Sequence, residues 1–344
     1  MIDNLDIVIK SFNRQHAIDR IVRSWNVKYP DLSLIIVDDS TIDMDFSGLL
    51  YSNHRIIKTP KCDMGISFGR NFGALHCKKE FILFLEDDFV LTEETNLEKM
   101  LKLFQIDDKV GIVIGTTNAF NRRTPYHGGL ISIQNGICYK ICNDGIFNSF
   151  NSIKYKYCNL GVNFMIIKKA VLSDVSWDNN LKVAEHLDFY IQLKKSGWKA
   201  LFTPDVIIEH HHYDTPDYSV YRFGMHAYYK ELMWKKHNLY REVYILDGRV
   251  TDFWLKPDVS VKFDEFGKII PLNKRLHNYL LIQSLEEDIH DANNIGLVIA
   301  TGITSKYSPG TIISFKKSAL QDILENSDGK MYYLVEQRCV KEVM

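Results

Sequence analysis

The chain has 344 residues, with 42 lysines and arginines against 43 acidic residues and a formal net charge of −1. A charge this close to zero gives no electrostatic case for a nucleic-acid partner. A hydrophobic content of 46% and a charged content of 25% are ordinary for a globular protein, and the length suggests about two domains.

The cysteines and the apolar runs bear on the cellular compartment of the protein. The cysteines are Cys62, Cys77, Cys138, Cys142, Cys158 and Cys339. They form no CxxC pair, so we predict reduced thiols in a reducing compartment. No run approaches the roughly 20 apolar residues of a spanning helix, and the N-terminus lacks the basic and apolar regions of a signal peptide. We therefore expect a cytoplasmic protein, with peripheral membrane contact left open.

Short apolar runs alternate with amphipathic stretches through the first third of the chain. Strands are predicted at residues 5–9, 32–37, 55–58, 81–85 and 110–114, and helices at residues 17–25, within 65–76 and at 97–104. Strands that alternate with helices form βαβ units, so the pattern predicts an α/β fold with a mostly parallel sheet.

The pattern changes in the middle of the chain and again in the tail. Strand-like stretches are predicted at 128–142 (with a hairpin turn at Asn135-Gly136), 162–168, 198–202 and 206–208, and helices at 185–196 and 219–237. Short strands and turns follow, at 259–263, 295–300 and 310–315. We therefore predict a first domain of residues 1–240 and a C-terminal accessory region of residues 241–344.

Three acids, Glu86, Asp87 and Asp88, directly follow the apolar strand predicted at residues 81–85. Open α/β sheets bind ligands at the carboxyl ends of their strands, and adjacent carboxylates repel one another unless water or a cation compensates them. Mg²⁺ and Mn²⁺ prefer oxygen ligands of this kind. Strand alternation puts Glu86 and Asp88 on the same side. The triplet predicts a divalent-cation site, with a solvated acidic turn as the alternative.

Five polar segments occur in a fixed order. They are Ser11-Phe12-Asn13-Arg14, Val37-Asp38-Asp39-Ser40-Thr41, Gly65-Ile66-Ser67-Phe68-Gly69-Arg70-Asn71, Glu86-Asp87-Asp88-Phe89, and Glu185-His186-Leu187-Asp188 ahead of Gly197-Trp198. With these segments, residues 4–212 resemble the family 2 glycosyltransferases of the GT-A fold. The third and fourth segments are similar to the GxSxGRN and DDDF segments of β-1,4-N-acetylgalactosaminyltransferases. The resemblance implies a Rossmann-like GT-A sheet and a smaller C-terminal α+β region.

An inverting, metal-dependent enzyme is the function that this resemblance implies. It would move GalNAc, GlcNAc, galactose or glucose from a UDP-sugar to a saccharide or glycolipid acceptor, with bacterial surface polysaccharide synthesis as the setting. Residues 241–344 would bind the acceptor, form a homo-oligomer or dock on a membrane. The alternatives are a sugar-1-phosphate nucleotidyltransferase, which would want a glycine-rich loop after the first strand, and a non-catalytic binder of nucleotide sugars or glycans.

The resemblance also assigns the metal site. Asp88 would ligate Mn²⁺ or Mg²⁺ directly, and Glu86 stands where the family usually has its first Asp. Some GT-A enzymes complete this site with a histidine. We expect one of His210 and His212 to do so, because adjacent strand residues point to opposite sides.

Donor contacts are expected at the other segments. The expected donor-binding residues are Ser11, Phe12, Asn13, Arg14, Asp38, Asp39, Gly65, Arg70, Asn71, Glu86 and Asp87. Asp38 or Asp39 would accept a hydrogen bond from the uracil imide, unless one of them caps the next turn. Arg70 would face phosphate at a loop-to-helix junction, with a surface salt bridge as the alternative.

The catalytic base is expected on the predicted helix 185–196. In inverting transfer a carboxylate deprotonates the acceptor hydroxyl. The family supplies it from an ED pair before a GW or GY turn, and the pair aligned here is Leu187-Asp188, which makes Asp188 the predicted base. Glu185 shares that helix face, so one acid would be the base and the other would bind the acceptor. A helix-capping acid is the alternative.

Overall fold

The computed structural model describes residues 2–48, 51, 53–119, 122–123, 128–134, 136–142, 146–211 and 216–239 and, beyond these, only strand segments of the tail. The chain divides into two compact units, one of residues 1–129 and 145–237 and the other of residues 130–144 and 238–344. No helix in the described part of the chain has both the length and the apolar character to cross a membrane.

The first unit alternates strands with helices. Its helices are α1 (Gln15–Lys28), α2 (Ile66–Leu75), α3 (Leu97–Leu103), α4 (Glu185–Ser196) and α5 (Pro216–Lys236), with 3₁₀ turns at Ile2–Asn4 and Lys169–Ser173. Its strands are β1 (Leu5–Ser11), β2 (Leu34–Asp38), β3 (Arg55–Lys58), β4 (Phe81–Glu86), β5 (Phe89–Leu91), β6 (Val110–Ala119), β7 (Arg122–Arg123), β10 (Asn148–Phe150), β11 (Ile153–Cys158), β12 (Met165–Lys168) and β13 (Lys199–His210).

These strands form one sheet in the order β10-β11-β13-β6-β12-β4-β1-β2-β3, with β5 added to β13 and β7 to β6. Strands β3, β2, β1 and β4 pair in parallel. Strand β12 is antiparallel to both β4 and β6, and β13 is parallel to β6, so β13 runs in the same direction as β4. The predicted α/β class is confirmed. The carboxyl ends of β1, β2, β4 and β13 therefore meet at one edge of the sheet.

Apolar burial on both faces of the sheet explains why its central strands read as uninterrupted hydrophobic runs. Strand β2 is buried along its whole length, as is β4 up to Leu85, which is the pattern of a sheet covered by helices on both sides. Helix α1 covers one face with residues spaced at the helical period. Its buried residues are Ala17, Ile18, Ile21, Val22 and Trp25.

Helix α2 lies unusually close to β1 because two glycines face that strand. A Cβ atom on Gly73 would lie 2.4 Å from Cγ1 of Val8, and one on Gly69 would lie 2.4 Å from Cγ of Lys10. Side chains do not tolerate such distances in a close-packed interior. The glycine spacing of the GxSxGRNxG segment thus lets the N-terminus of α2 approach the carboxyl edge of the sheet.

We expect Gly73→Ala to lower the free energy of unfolding by about 1–3 kcal/mol, because the added methyl group must displace Val8 or the helix. The measurement is the urea midpoint of the full chain. Leu75→Ala, on the same helix but 80% exposed, is the control and should change the midpoint little. An unchanged midpoint for Gly73→Ala would contradict the close packing described here.

Three features of the sheet differ from the sequence prediction. The strands predicted at 198–202 and 206–208 are one strand, β13, with a register shift between Phe202 and Ile207. Pro204 lies in that irregular stretch, where its missing N–H costs no ladder bond. The strand predicted at residues 162–168 begins only at Met165, as β12. Strand β5 and the hairpin of β10 and β11 were not predicted, because they are short or rich in polar residues.

The second unit joins an internal hairpin to the tail. Its strands are β8 (Leu130–Gln134), β9 (Ile137–Cys142), β14 (Arg241–Leu246), β15 (Arg249–Val250), β16 (Ser260–Phe263), β17 (Ile269–Leu272), β18 (Leu281–Ile282), β19 (Ile295–Ile299), β20 (Ile312–Lys316), β21 (Met331–Val335) and β22 (Cys339–Val343). The hairpin predicted at residues 128–142 is confirmed, since β8 and β9 pair antiparallel across Gly136, whose φ is +77°. Strand β14 adds to β9 in parallel, and a buried ion pair joins Lys140 to Glu242.

Candidate active site

A cleft of about 280 Å³ opens at the carboxyl edge of the sheet in the first unit. Strands β1 and β4 are neighbours there, but the chain leaves β1 toward β2 on its other side, so the crevice is a topological switch point. The polar residues that line it are Lys10, Arg14, Asp63, Arg70, Glu86, Asp87, Asp88, Asn163, Lys182, Glu185, His186, His210 and His226, and Phe12, Gly65 and Met225 also line it.

Asp87 is the most deeply buried acid of the triplet and is held by the end of β1. Ser11 Oγ donates a 2.9 Å hydrogen bond to it, and the Arg14 guanidinium donates to both of its oxygens. Burial raises the pKa of Asp87 above its ordinary value, although the charge of Arg14 acts in the opposite direction. Both oxygens of the Asp87 carboxylate are thus engaged in hydrogen bonds with Ser11 or Arg14.

Glu86, Asp88 and His210 form a triad whose ligand atoms all lie within 4.8 Å of one another. His210 Nε2 is 3.2 Å from Asp88 Oδ1 and 3.6 Å from Glu86 Oε2. The fold explains this meeting. Strand β5 turns back antiparallel to the end of β13, which pairs Phe89 with His210 and lets the His211 amide donate to the Asp88 carbonyl at 2.9 Å.

The donor set of this triad fits a divalent cation. Two carboxylates and an imidazole suit Mn²⁺ as well as Mg²⁺. Asp88 Oδ1 is buried and accepts no well-formed hydrogen bond, which is costly for an ionised carboxylate unless a charge compensates it. The other oxygen, Oδ2, accepts a 2.9 Å hydrogen bond from Arg14 Nη1. Asp88 Oδ1 therefore faces His210 Nε2, 3.2 Å away, inside the triad.

Charges in the triad reinforce the ionised state of Asp88. Burial alone would raise the pKa of Asp88, but the contact with His210 and the charge of Arg14 hold it well below its ordinary range. Burial would likewise lower the pKa of His210, but the contact with Asp88 and the charges of Asp88 and Glu86 raise it. Asp88 is thus ionised at physiological pH, as a cation ligand must be, whereas His210 would have to lose a proton to ligate the same cation.

Gly65 and Asp39 build the turn that leads into α2. Gly65 has a φ of +93°, and a Cβ atom there would lie 2.8 Å from Cα of Lys182, so both conformation and space require glycine. Asp39 accepts hydrogen bonds from the amides of Met64 at 2.7 Å and Gly65 at 2.9 Å, and its Oδ2 is 3.2 Å from Lys10 Nζ. Asp39 therefore stabilises this turn.

Arg70 joins two acids that line the cleft. Its Nη1 donates a 2.9 Å hydrogen bond to Glu185 Oε1, its Nη2 is 3.5 Å from Glu86 Oε1, and its guanidinium lies 5.5 Å from the Trp177 ring. The side chain is 3% exposed. Arg70 therefore forms a buried salt bridge and not the surface salt bridge considered as the alternative. This bridge orients the side chain of Glu185, which lies in the first turn of α4.

Asp188 does not line the cleft. Its carboxylate is fully buried and contacts Lys236 Nζ at 2.9 Å, His237 Nε2 at 2.6 Å and Gln192 Nε2 at 2.8 Å. These partners lie in the same helix or at the end of α5. The assignment of the catalytic base to Asp188 has no support from this geometry, whereas Glu185, the alternative, faces the cleft.

Three further predicted residues, Asn13, Asp38 and Asn71, have other surroundings. Asn13 bonds to Ser40 and Thr41 and ties the end of β1 to the loop after β2. Asp38 Oδ1 accepts from the Ser40 amide at 3.0 Å, which is a turn cap. Asn71 Nδ2 donates to the Trp177 carbonyl at 2.6 Å, away from the cleft. His212 lies outside the described residues.

Several cleft residues were not singled out from the sequence. Asn163 Nδ2 donates to Glu86 Oε1 at 2.5 Å, and Lys182 Nζ donates to Asp63 Oδ2 at 2.7 Å. His186 contacts the Gly161 carbonyl, and burial lowers its pKa. These residues lie on loops or helix ends far along the chain, where no local pattern marks them. His186 alone could have been noticed, because it directly follows Glu185.

With this geometry in place, comparison with known proteins identifies the class. Residues 6–175 match the model of glycosyl transferase family 2, so the chain contains a domain of that family. Family membership agrees with the sheet order, so the predicted GT-A class is confirmed.

Two curated relatives are β-1,4 N-acetylgalactosaminyltransferases. Enzyme 2 of Mus musculus is 26% identical over 211 residues, and enzyme 1 of Homo sapiens is 25% identical over 212 residues. Each match covers 59% of this chain but only 38% of the relative. The chain therefore matches well under half the length of these relatives.

Solved structures of S. aureus TarS are also similar. TarS 1–349 aligns with a TM-score of 0.44 and 15% identity, over 60% of each chain. TarS 1–349 in complex with UDP-GlcNAc aligns with a TM-score of 0.45 and 15% identity, over 62% of this chain and 60% of TarS.

Proposed function

We propose that this chain is an inverting, metal-dependent glycosyltransferase that moves a sugar from a UDP-sugar to a saccharide or glycolipid acceptor. Family membership supports the reaction class. The triad of Glu86, Asp88 and His210 supports it most directly, because three ligands suited to Mn²⁺ or Mg²⁺ converge at the edge where such sheets bind nucleotides.

Glu86, Asp88 and His210 would hold the cation, which when bound would stabilise negative charge on the departing diphosphate. Around them, Arg14 fixes Asp88, and Asn163 fixes Glu86. Such partners hold ligand side chains in the geometry that binding needs. Arg14 and Arg70 add positive charge beside the triad, and guanidinium groups bind phosphate well.

Glu185 is the base in this proposal. Its carboxylate lines the cleft and accepts a hydrogen bond from Arg70, so it has a fixed direction and an ionised partner. An ionised carboxylate can remove the proton of an acceptor hydroxyl as that oxygen attacks the anomeric carbon. Attack from the face opposite the leaving diphosphate inverts the configuration at that carbon.

GalNAc is the first candidate for the donor sugar, because the two curated relatives are N-acetylgalactosaminyltransferases. GlcNAc, galactose and glucose are the other candidates. We place the reaction in bacterial surface polysaccharide synthesis in the cytoplasm, with residues 241–344 binding the acceptor, a second copy or the membrane. These assignments rest on the family resemblance.

The test uses the full chain with each of the four UDP-sugars, a saccharide panel, and Mn²⁺, Mg²⁺ or EDTA. We expect acceptor-dependent release of UDP with Mn²⁺, loss of release in EDTA, recovery on adding Mn²⁺, and an inverted anomeric proton coupling in the product by NMR. Binding of UDP without turnover of any donor would indicate a non-catalytic binder. Pyrophosphate formed from UTP and a sugar 1-phosphate would indicate a nucleotidyltransferase.

A further inference from the structure

Asp188 is a fully buried acid, and its two charged or titratable partners come from the end of another helix. It lies on α4, three residues after Glu185, yet its oxygens contact Lys236 Nζ at 2.9 and 3.1 Å and His237 Nε2 at 2.6 Å. An ionised carboxylate without access to water needs such compensation. The buried carboxylate is thus tied to the C-terminal end of α5.

Lys236 extends this contact to a third segment. Its Nζ also donates to Asp178 Oδ2 at 2.8 Å, and the contacts with Asp178 and Asp188 raise the pKa of Lys236 despite its partial burial. Asp178 begins a turn that closes at Leu181, whose carbonyl accepts from Ser67 Oγ on α2 at 2.5 Å. We call Asp178, Asp188, Lys236 and His237 the α5 anchor.

The turn at Asp178 and helix α5, which the anchor joins, both contribute walls of the cleft. The turn beginning at Asp178 leads directly into Lys182 and Glu185, which line it. Helix α5 contributes Met225 and His226, about 15 Å along the helix from Lys236 at 1.5 Å per residue. The position of this wall therefore depends on the end of the helix being held.

We propose that Asp188 is a positioning residue: with Asp178, Lys236 and His237 it holds α5 against α4 so that Met225 and His226 stay in the wall of the donor cleft. This role rests on the proposed function for the donor cleft, although the anchor itself does not. If α5 is released, the binding-competent cleft is less populated and apparent affinity falls by that fraction. The chemical step at Glu185 is unaffected, because Asp188 touches no reacting atom.

The experiment compares Asp188→Asn, Lys236→Met, the double variant and Lys235→Met in the full chain. Lys235→Met is the matched control, since Lys235 is the neighbouring residue on α5 and, within the described part of the chain, forms its ion pair with Glu231 across one exposed turn. The readouts are amide hydrogen exchange of residues 225–236 without substrate, and KM and kcat with the donor and its pH profile.

We expect Asp188→Asn and Lys236→Met each to speed exchange in residues 225–236 by about tenfold, since both open the same local structure. Donor KM should rise by about 5–10-fold while kcat stays within about threefold and keeps its pH profile. The double variant should resemble the single ones, because the two residues share one interaction. Lys235→Met should change none of these quantities.

Unchanged exchange in residues 225–236 for both single variants would overturn the anchor. A loss of kcat of about 100-fold or more in Asp188→Asn at unchanged KM, with Lys236→Met normal, would instead make Asp188 the base. Lys236 is more than a third exposed, so Lys236→Met provides the exchange test if Asp188→Asn does not fold. Absence of sugar transfer by the parent chain would refute the proposed function but leave the exchange result intact.

Discussion

Asp88→Asn is expected to lower kcat for sugar transfer by about 10³-fold or more, because the substitution removes one charge from the proposed cation site and leaves side-chain volume almost unchanged. In the parent chain Asp88 Oδ1 is buried without a well-formed hydrogen bond and faces His210. Calorimetry with Mn²⁺ and UDP should show weakened uptake of Mn²⁺ in the variant, in parallel with the loss of turnover.

The matched control for this substitution is Asp6→Asn. Asp6 lies on β1, the neighbour of β4, at the opposite edge of the sheet from Asp88, where it accepts hydrogen bonds from the amides of Lys78 and Lys79. That variant should keep the parent turnover per folded molecule, measured beside the circular dichroism spectrum. Transfer at the parent rate by well-folded Asp88→Asn would show that the triad does not hold the catalytic cation.

Glu185→Gln is expected to lower kcat by about 10²–10⁴-fold with little change in donor KM, because an amide cannot accept the proton of the acceptor hydroxyl. Steady-state kinetics measures kcat at saturating donor and acceptor, and a donor titration measures KM.

Glu93→Gln is the control for Glu185→Gln, since Glu93 is almost fully exposed and pairs with Lys28 away from the cleft. It should leave kcat and KM unchanged. Should Glu185→Gln raise donor KM at an unchanged kcat, Glu185 would bind substrate rather than act as the base. Together with Asp188→Asn, this comparison decides between the two acids of α4.

Local patterns gave a reliable account of the sheet and of the place of the acid triplet at a strand end. The apolar run ending at Glu86 is β4, and the glycine spacing that ends at Gly73 reflects the close approach of α2 to β1. Both features depend on neighbours within a few residues, through strand alternation and helical period. The bulged strand β13 was divided wrongly, because a proline inside a strand has the same local signature as a loop.

By itself, the sequence determined the α/β class, the family resemblance and the acid triplet at a strand end, because each depends on short motifs of residues that are close together along the chain. Only the tertiary structure decided that Glu185 faces the cleft and Asp188 does not. The two acids are about 60° apart around one helix, so their directions depend on distant partners. Arg70, 115 residues before Glu185, orients one acid, and Lys236, 48 residues after Asp188, holds the other. His210 likewise reaches Asp88 only because β5 folds back on β13.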